Sequence, residues 1–180
     1  MSFSRDKATK EDMVKAINYY LSEVLEVPRK EYEGLPACPF VKKERVNKKL
    51  MIDVFDHDNE SFLDKIKVFT DSDYTDAVFA QHIGGEFNTR DSKDYQAFLN
   101  SLLSEHHNNY KVIVINPADS FEVEGFNPRS LAPCLLIVVT NRKKLSKAHE
   151  QMMNSKYFKN FGDDYLEHLH VKKEDLDLKD

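Results

Sequence analysis

The sequence predicts an α+β fold: a ferredoxin-like (split βαβ) sheet with an added N-terminal helix. Two observations carry this expectation. Apolar runs follow one another as strand, helical region, strand, strand, helix and strand, which is the split βαβ order. Ahead of the first strand, Met13, Ile17, Tyr20, Leu21, Val24 and Leu25 recur at helical spacing. The same order also allows a three-layer α/β arrangement, with helices on both faces of the sheet.

Each element has a local reason. The first helix is expected from about Lys10 to Val27, with Thr9 as N-cap and Pro28 as stop. The segment 32–40 holds two prolines and a glycine and reads as a constrained loop. From Lys49 to Asp56, Leu50, Ile52 and Val54 alternate with Met51, Asp53 and Phe55, a strand pattern. Asp58 or Asn59 would then cap a helix striped by Phe62, Ile66 and Phe69. Residues 71–90 read as an insertion ending in a glycine loop. A helix from Ser92 to His107 follows, capped by Asp91.

Tyr110 to Ile115 and Pro133 to Thr140 read as strands. The unbroken run Leu135-Leu136-Ile137-Val138-Val139 suggests a central strand covered on both sides. A helix from Lys143 to Met153 comes next, then a final strand from Tyr165 to Val171, then a charged, frayed tail over 172–180. The connection 116–132 exceeds the ~12–15 residues of ordinary loops and so is a site candidate.

Composition narrows the function classes. Among 180 residues, 41% are apolar and 32% charged, and 12 Phe and 8 Tyr supply bulky core material, enough for a single folded domain. The formal charge of −5, from 26 basic and 31 acidic residues, argues against general nucleic-acid binding. The charged start of the chain and the lack of long apolar runs argue against secretion and membrane spanning. With Cys38 and Cys134 the whole cysteine complement, a reducing cytoplasmic location is expected.

Candidate chemistry concentrates in a few places. Pro39 holds Cys38 in extended backbone, and Lys42, Lys43 and Arg45 nearby offer the positive charge that would lower a thiol pKa. Cys38 is therefore a candidate nucleophile, redox thiol or metal or haem ligand; a buried cysteine plugging the loop explains the pattern equally. Cys134, inside an apolar run, reads as core. His82, Gly84, Gly85, Asn88 and Arg90 combine a titratable group, a flexible backbone and an anion binder, making His82 a second catalytic candidate and Arg90 a ligand anchor beside Lys42.

His57 among Asp53, Asp56 and Asp58 could hold a divalent ion or simply cap a helix. His168 and His170, two apart, would share one side of the final strand as a possible metal pair. No phosphate-loop, dinucleotide, nucleophile-elbow or zinc-protease pattern occurs, so no cofactor is named.

The segment Gly34-Leu35-Pro36-Ala37-Cys38-Pro39-Phe40-Val41-Lys42 resembles a conserved bacterial family with a Gly-Leu-x-x-Cys-Pro-Phe-Ala-Lys motif. The family carries no assigned activity. It tends to show an apolar strand ending in His-Pro, where this chain has Asn116-Pro117, so the resemblance makes Asn116 a candidate ligand-binding position lacking the family's histidine.

Two readings follow. One is a small-molecule enzyme or ligand-binding protein with a pocket around Cys38. The other is a non-catalytic interaction protein, or a homodimer, using an open sheet face.

Overall fold

The computed structural model describes residues 8–83, 86–87, 91–153 and 155–172. Helix α1 (Lys10–Tyr20) opens with a capping box: the Thr9 hydroxyl accepts the Asp12 amide and the Asp12 carboxylate accepts the Thr9 amide. Its buried stripe is Met13, Ile17 and Tyr20. The helix then widens into a π turn, Leu21–Leu25, closed by the Glu26 amide on the Leu21 carbonyl at 3.0 Å. Pro28 ends it as the sequence indicates.

Short helix α2 (Val41–Val46) leads to β1 (Leu50–Asp56), α3 (Phe62–Thr70), β2 (Asp76–Ile83), β3 (Glu86–Phe87), α4 (Ser92–His106), β4 (Tyr110–Ile115), β5 (Leu136–Asn141), α5 (Arg142–Met153) and α6 (Asp163–His168). The main strands lie in the order β1-β2-β5-β4, and β3 pairs with the end of β2. Strands β1 and β2 run parallel, while β5 is antiparallel to both of its neighbours. Because β2 and β4 each oppose β5, they run parallel to one another, and β2-α4-β4 is a split βαβ unit with β5 between its strands.

The α+β class is therefore present, but the sheet departs from the ferredoxin-like order. Its fourth position is filled from the N-terminal side by β1, parallel to β2, rather than by a C-terminal strand. Two misread segments account for this. The stretch 71–90 contains central strand β2, whose Ala77, Val78, Phe79 and Ala80 are fully buried; flanking polar residues and two alanines disguise it as an insertion. Residues 165–171, expected to be the last strand, instead contain helix α6, where Tyr165, Leu166 and His168 face inward.

Helices cover both sheet faces, the layering of the rival arrangement. On one side α3 and α4 bring Phe62, Ile66, Phe69, Leu99 and Leu103 against Phe79, Val112, Val114, Ile137 and Val139. On the other, α1, the π turn, α2, α5 and α6 pack on Leu50, Val54, Val78 and Leu136. The open face on which an interaction reading rested is occupied. Strand β5, inner to β2 and β4, is the doubly covered strand its apolar run suggests.

The exposed side of β4 is closed by side chains. Asn100 accepts the Val112 amide through Oδ1 at 2.9 Å and donates to its carbonyl at 3.0 Å. Gln96, one turn earlier, accepts the Val114 amide at 2.8 Å. Two amides on α4 thus imitate a neighbouring strand and occupy groups that would otherwise template pairing with another chain.

Candidate functional site

Between the π turn, the Cys38 loop, the inner face of the sheet and α5 lies a cavity of about 160 Å³. Its walls are mostly apolar, with Leu21, Leu25, Val41, Val138, Ala148 and Phe158 among them. The Cys38 segment forms one wall because the chain pins it. The Cys38 amide donates to the Leu25 carbonyl at 2.9 Å, a carbonyl exposed where the helix ends, and the Tyr157 hydroxyl donates to the Ala37 carbonyl. Gly34, at φ +85°, and Glu33, at φ 56°, make the reversal that returns the chain here.

Cys38 lines this cavity, but its surroundings do not activate it. Burial raises the thiol pKa, and the charges of Asp76 and Glu26 push it further up, against lowering by the Phe40 and Val41 amides. The cations that sequence proximity suggested are engaged elsewhere. Lys42 and Lys43 are exposed on α2, and Arg45 makes a two-pronged pair with Glu26 at 2.6 and 2.8 Å. Lys42 does not line the cavity.

One pole of the cavity is acidic. Asp76, at the start of β2, is 8% exposed. One carboxylate oxygen pairs with Lys144 of α5, and the other, Oδ1, has no hydrogen-bond partner among the described residues. Lys144 is shared with Glu44 of α2 at 3.0 Å, and Glu44 also accepts the Thr75 hydroxyl at 2.6 Å. Although burial raises the Glu44 pKa, the Thr75 and Lys144 bonds outweigh it and hold the carboxyl below its usual range.

The opposite pole is built by the 116–132 connection, which is packed rather than open. Glu124 and Gly125, both with positive φ, turn the chain so that Val123 and Phe126 pair. The short 3₁₀ turn Pro128–Leu131 then places Arg129 in the interior, 3% exposed. Arg129 donates to Asp119 at 2.8 Å and to the Val114 carbonyl at 2.7 Å, and it approaches His168 Nε2 at 2.9 Å. Its guanidinium also lies near the Phe121 and Tyr165 rings. Burial opposes its charge, but Tyr165 and Asp119 hold it protonated.

The remaining candidates are dispersed. His82 is six residues along β2 from Asp76, roughly 20 Å at strand rise, so it does not meet the Cys38 cavity. Arg90 lies outside the described residues. Asn116 is buried and its side chain accepts the Ala118 amide, a turn-forming role rather than one facing a ligand.

His168 and His170 sit at and beyond the end of α6 rather than on a strand, and His168 Nε2 is occupied by Arg129 and the Val114 carbonyl. Burial lowers the His168 pKa to about 4, with the Arg129 charge adding to it. Among the described residues no group of three His, Cys, Asp or Glu is placed to hold a metal.

Around His57 the aspartates serve the turn: Asp56 accepts the Asp58 amide and Asn59, while Asp53 pairs with Lys65 at 2.8 Å. The cap of α3 is Ser61, in a box with Asp64, not Asp58 or Asn59. His57 Nδ1 instead meets Gln81 at 2.8 Å, and buried Gln81 accepts the Tyr95 hydroxyl at 2.5 Å.

Four polar residues of the cavity and its rim, Asp76, Lys144, Glu44 and Arg129, escape a sequence reading. Asp76 heads an apolar run and Lys144 sits in a basic triplet, signals that equally describe an element boundary. No helix of the described residues is long and apolar enough to cross a membrane. Comparison with protein-family models, curated proteins and solved structures finds no match.

Proposed function

We propose that this protein binds a small, mainly apolar molecule in the cavity beside Cys38. The observation that supports this most directly is the pairing of an apolar chamber with a few convergent polar groups at its ends, the usual build of a ligand site. A chamber of about 160 Å³ suits a compound of roughly benzene size, since apolar cavities near ~150 Å³ hold benzene. The π turn supplies Leu21 and Leu25 to the wall, and such turns recur at functional sites.

Binding is favoured over thiol catalysis. A nucleophilic cysteine needs a lowered pKa, whereas burial and two carboxylates raise that of Cys38. On this reading Cys38 is a polarisable wall residue, and Pro39 keeps it there.

Thermal unfolding in the presence of toluene, benzyl alcohol and related compounds tests the proposal. A bound compound at a hundredfold its Kd adds about 2.7 kcal/mol of stability. The midpoint should rise for compounds that fit, and Ala148→Leu, which fills the chamber, should abolish the rise while leaving the fold intact. No rise for any compound of this size would count decisively against it.

A further inference from the structure

We infer that the ligand of this cavity is a small primary amine whose ammonium group docks on Asp76 and whose hydrocarbon body fills the apolar chamber. The inference rests on the cavity reading above and adds the ligand's charge and size. Its basis is an imbalance at one pole.

Asp76 and Glu44 together carry two negative charges, and one cation, Lys144, lies between them. Glu44 completes its bonding with Thr75. Asp76 does not: Oδ1 is buried without a partner among the described residues, on a residue that lines the chamber. A buried acceptor left unpaired costs about 1–3 kcal/mol, more when it is charged. Oδ1 has no accessible surface as it stands, so the carboxylate must turn slightly towards the chamber; an incoming N⁺–H would then satisfy that oxygen and bring the cluster to neutrality.

The other charged groups on the wall do not compete for this role. Arg129 is balanced by Asp119 at 2.8 Å, at the far pole. His149 is uncharged near neutral pH, since burial and the neighbouring His170 and Lys111 charges lower its pKa to about 4. A carboxylate ligand would meet Asp76 with like charge, so anions are selected against. The chamber's size limits the body to a ring or a short branched chain, as in benzylamine.

Calorimetric titration of the full chain at pH 7 with benzylamine, benzyl alcohol, toluene and benzoate tests this. Benzylamine should bind at least about tenfold tighter than toluene or benzyl alcohol, the scale of one charge-assisted hydrogen bond, and benzoate weakest. Asp76→Asn should remove the amine preference, bringing benzylamine to the affinity of benzyl alcohol. Equal binding of the amine and the neutral compounds would overturn the amine inference while leaving the cavity reading standing. No binding by any of the four would overturn both.

An amine preference that survives Asp76→Asn would overturn the assignment to Asp76. Should that variant not fold, amide NMR of the unaltered protein with benzylamine decides the location. Shifts centred on Asp76, Ala77 and Lys144 are expected, and shifts centred near Arg129 would overturn the assignment.

Discussion

Asp119 and Arg129 form an ion pair at 2.8 Å whose two side chains are 8% and 4% exposed, and the pair ties the 116–132 connection to β4 and α6 at once. Asp119 also accepts the Asn116 amide at 2.9 Å and the Ser92 hydroxyl at the start of α4. Removing one partner leaves the other charge buried, which costs about 3–5 kcal/mol. Asp119→Ala should lower stability by that amount in urea unfolding. Replacing both with apolar residues, Asp119→Leu with Arg129→Met, should recover part of it, because the Asn116 amide, the Ser92 hydroxyl and the Val114 carbonyl still lose a partner.

Cys38 should alkylate slowly. Burial and the Asp76 and Glu26 charges hold its thiol protonated at neutral pH, and Cys134 is packed against the Met13 sulfur at 3.8 Å. Iodoacetamide at pH 7.5, followed by mass spectrometry, is expected to modify both cysteines of the folded protein more slowly than a model thiol. Denatured protein should react at the model rate. Faster-than-model labelling of Cys38 would reinstate it as a nucleophile.

Asn100 guards a sheet edge. Asn100→Leu keeps the branching at Cγ but leaves the Val112 amide and carbonyl without their side-chain partner. The expected result is a loss of about 1–3 kcal/mol together with concentration-dependent self-association in light scattering, because an uncovered edge invites pairing.

Stability should fall as the solution is acidified from pH 6.5 towards 4. His149 and His168 have folded pKa values lowered to about 4 by burial first, then by neighbouring cations, from an ordinary value of 6.5. The unfolded chain therefore binds protons across this window before the folded one does. The contribution is full above about 6.5, declines below it, and levels off below about 4. The carboxylates with lowered pKa, Asp12, Glu31, Glu44, Glu60 and Asp64, lose their contribution only below about 4.5, so the upper part of the window isolates the histidines. Burial lowers the His170 pKa as well, so three histidines share the decline, and His149→Phe should flatten it in part in unfolding curves taken between pH 7 and 5.

Elements with local causes are legible in the sequence by itself. A Thr9 cap with a buried stripe, a proline stop at residue 28, alternation over β1 and an apolar run at β5 are decided within a few neighbours along the chain, and each forms where expected. Cys134, inside an apolar run, is core as that setting implies. The Cys38 loop and the 116–132 connection also lie at the two sides of one chamber, Cys38 in one wall and Pro128 and Arg129 in another.

What tertiary structure alone decided was pairing and charge. Residues 76–83 form a strand because β1 and β5 flank them, and 165–171 contain a helix because Tyr165 and Leu166 must face the inner core. Lys42 and Lys43 stand near Cys38 in sequence yet are exposed, while the tertiary fold buries the thiol, and Asp76, far along the chain, adds to the burial that raises its pKa and lines the cavity. Periodicity and capping act over a few residues, so a sequence displays them. Electrostatic neighbours and strand partners are set by folding across tens of residues, and no local pattern records them.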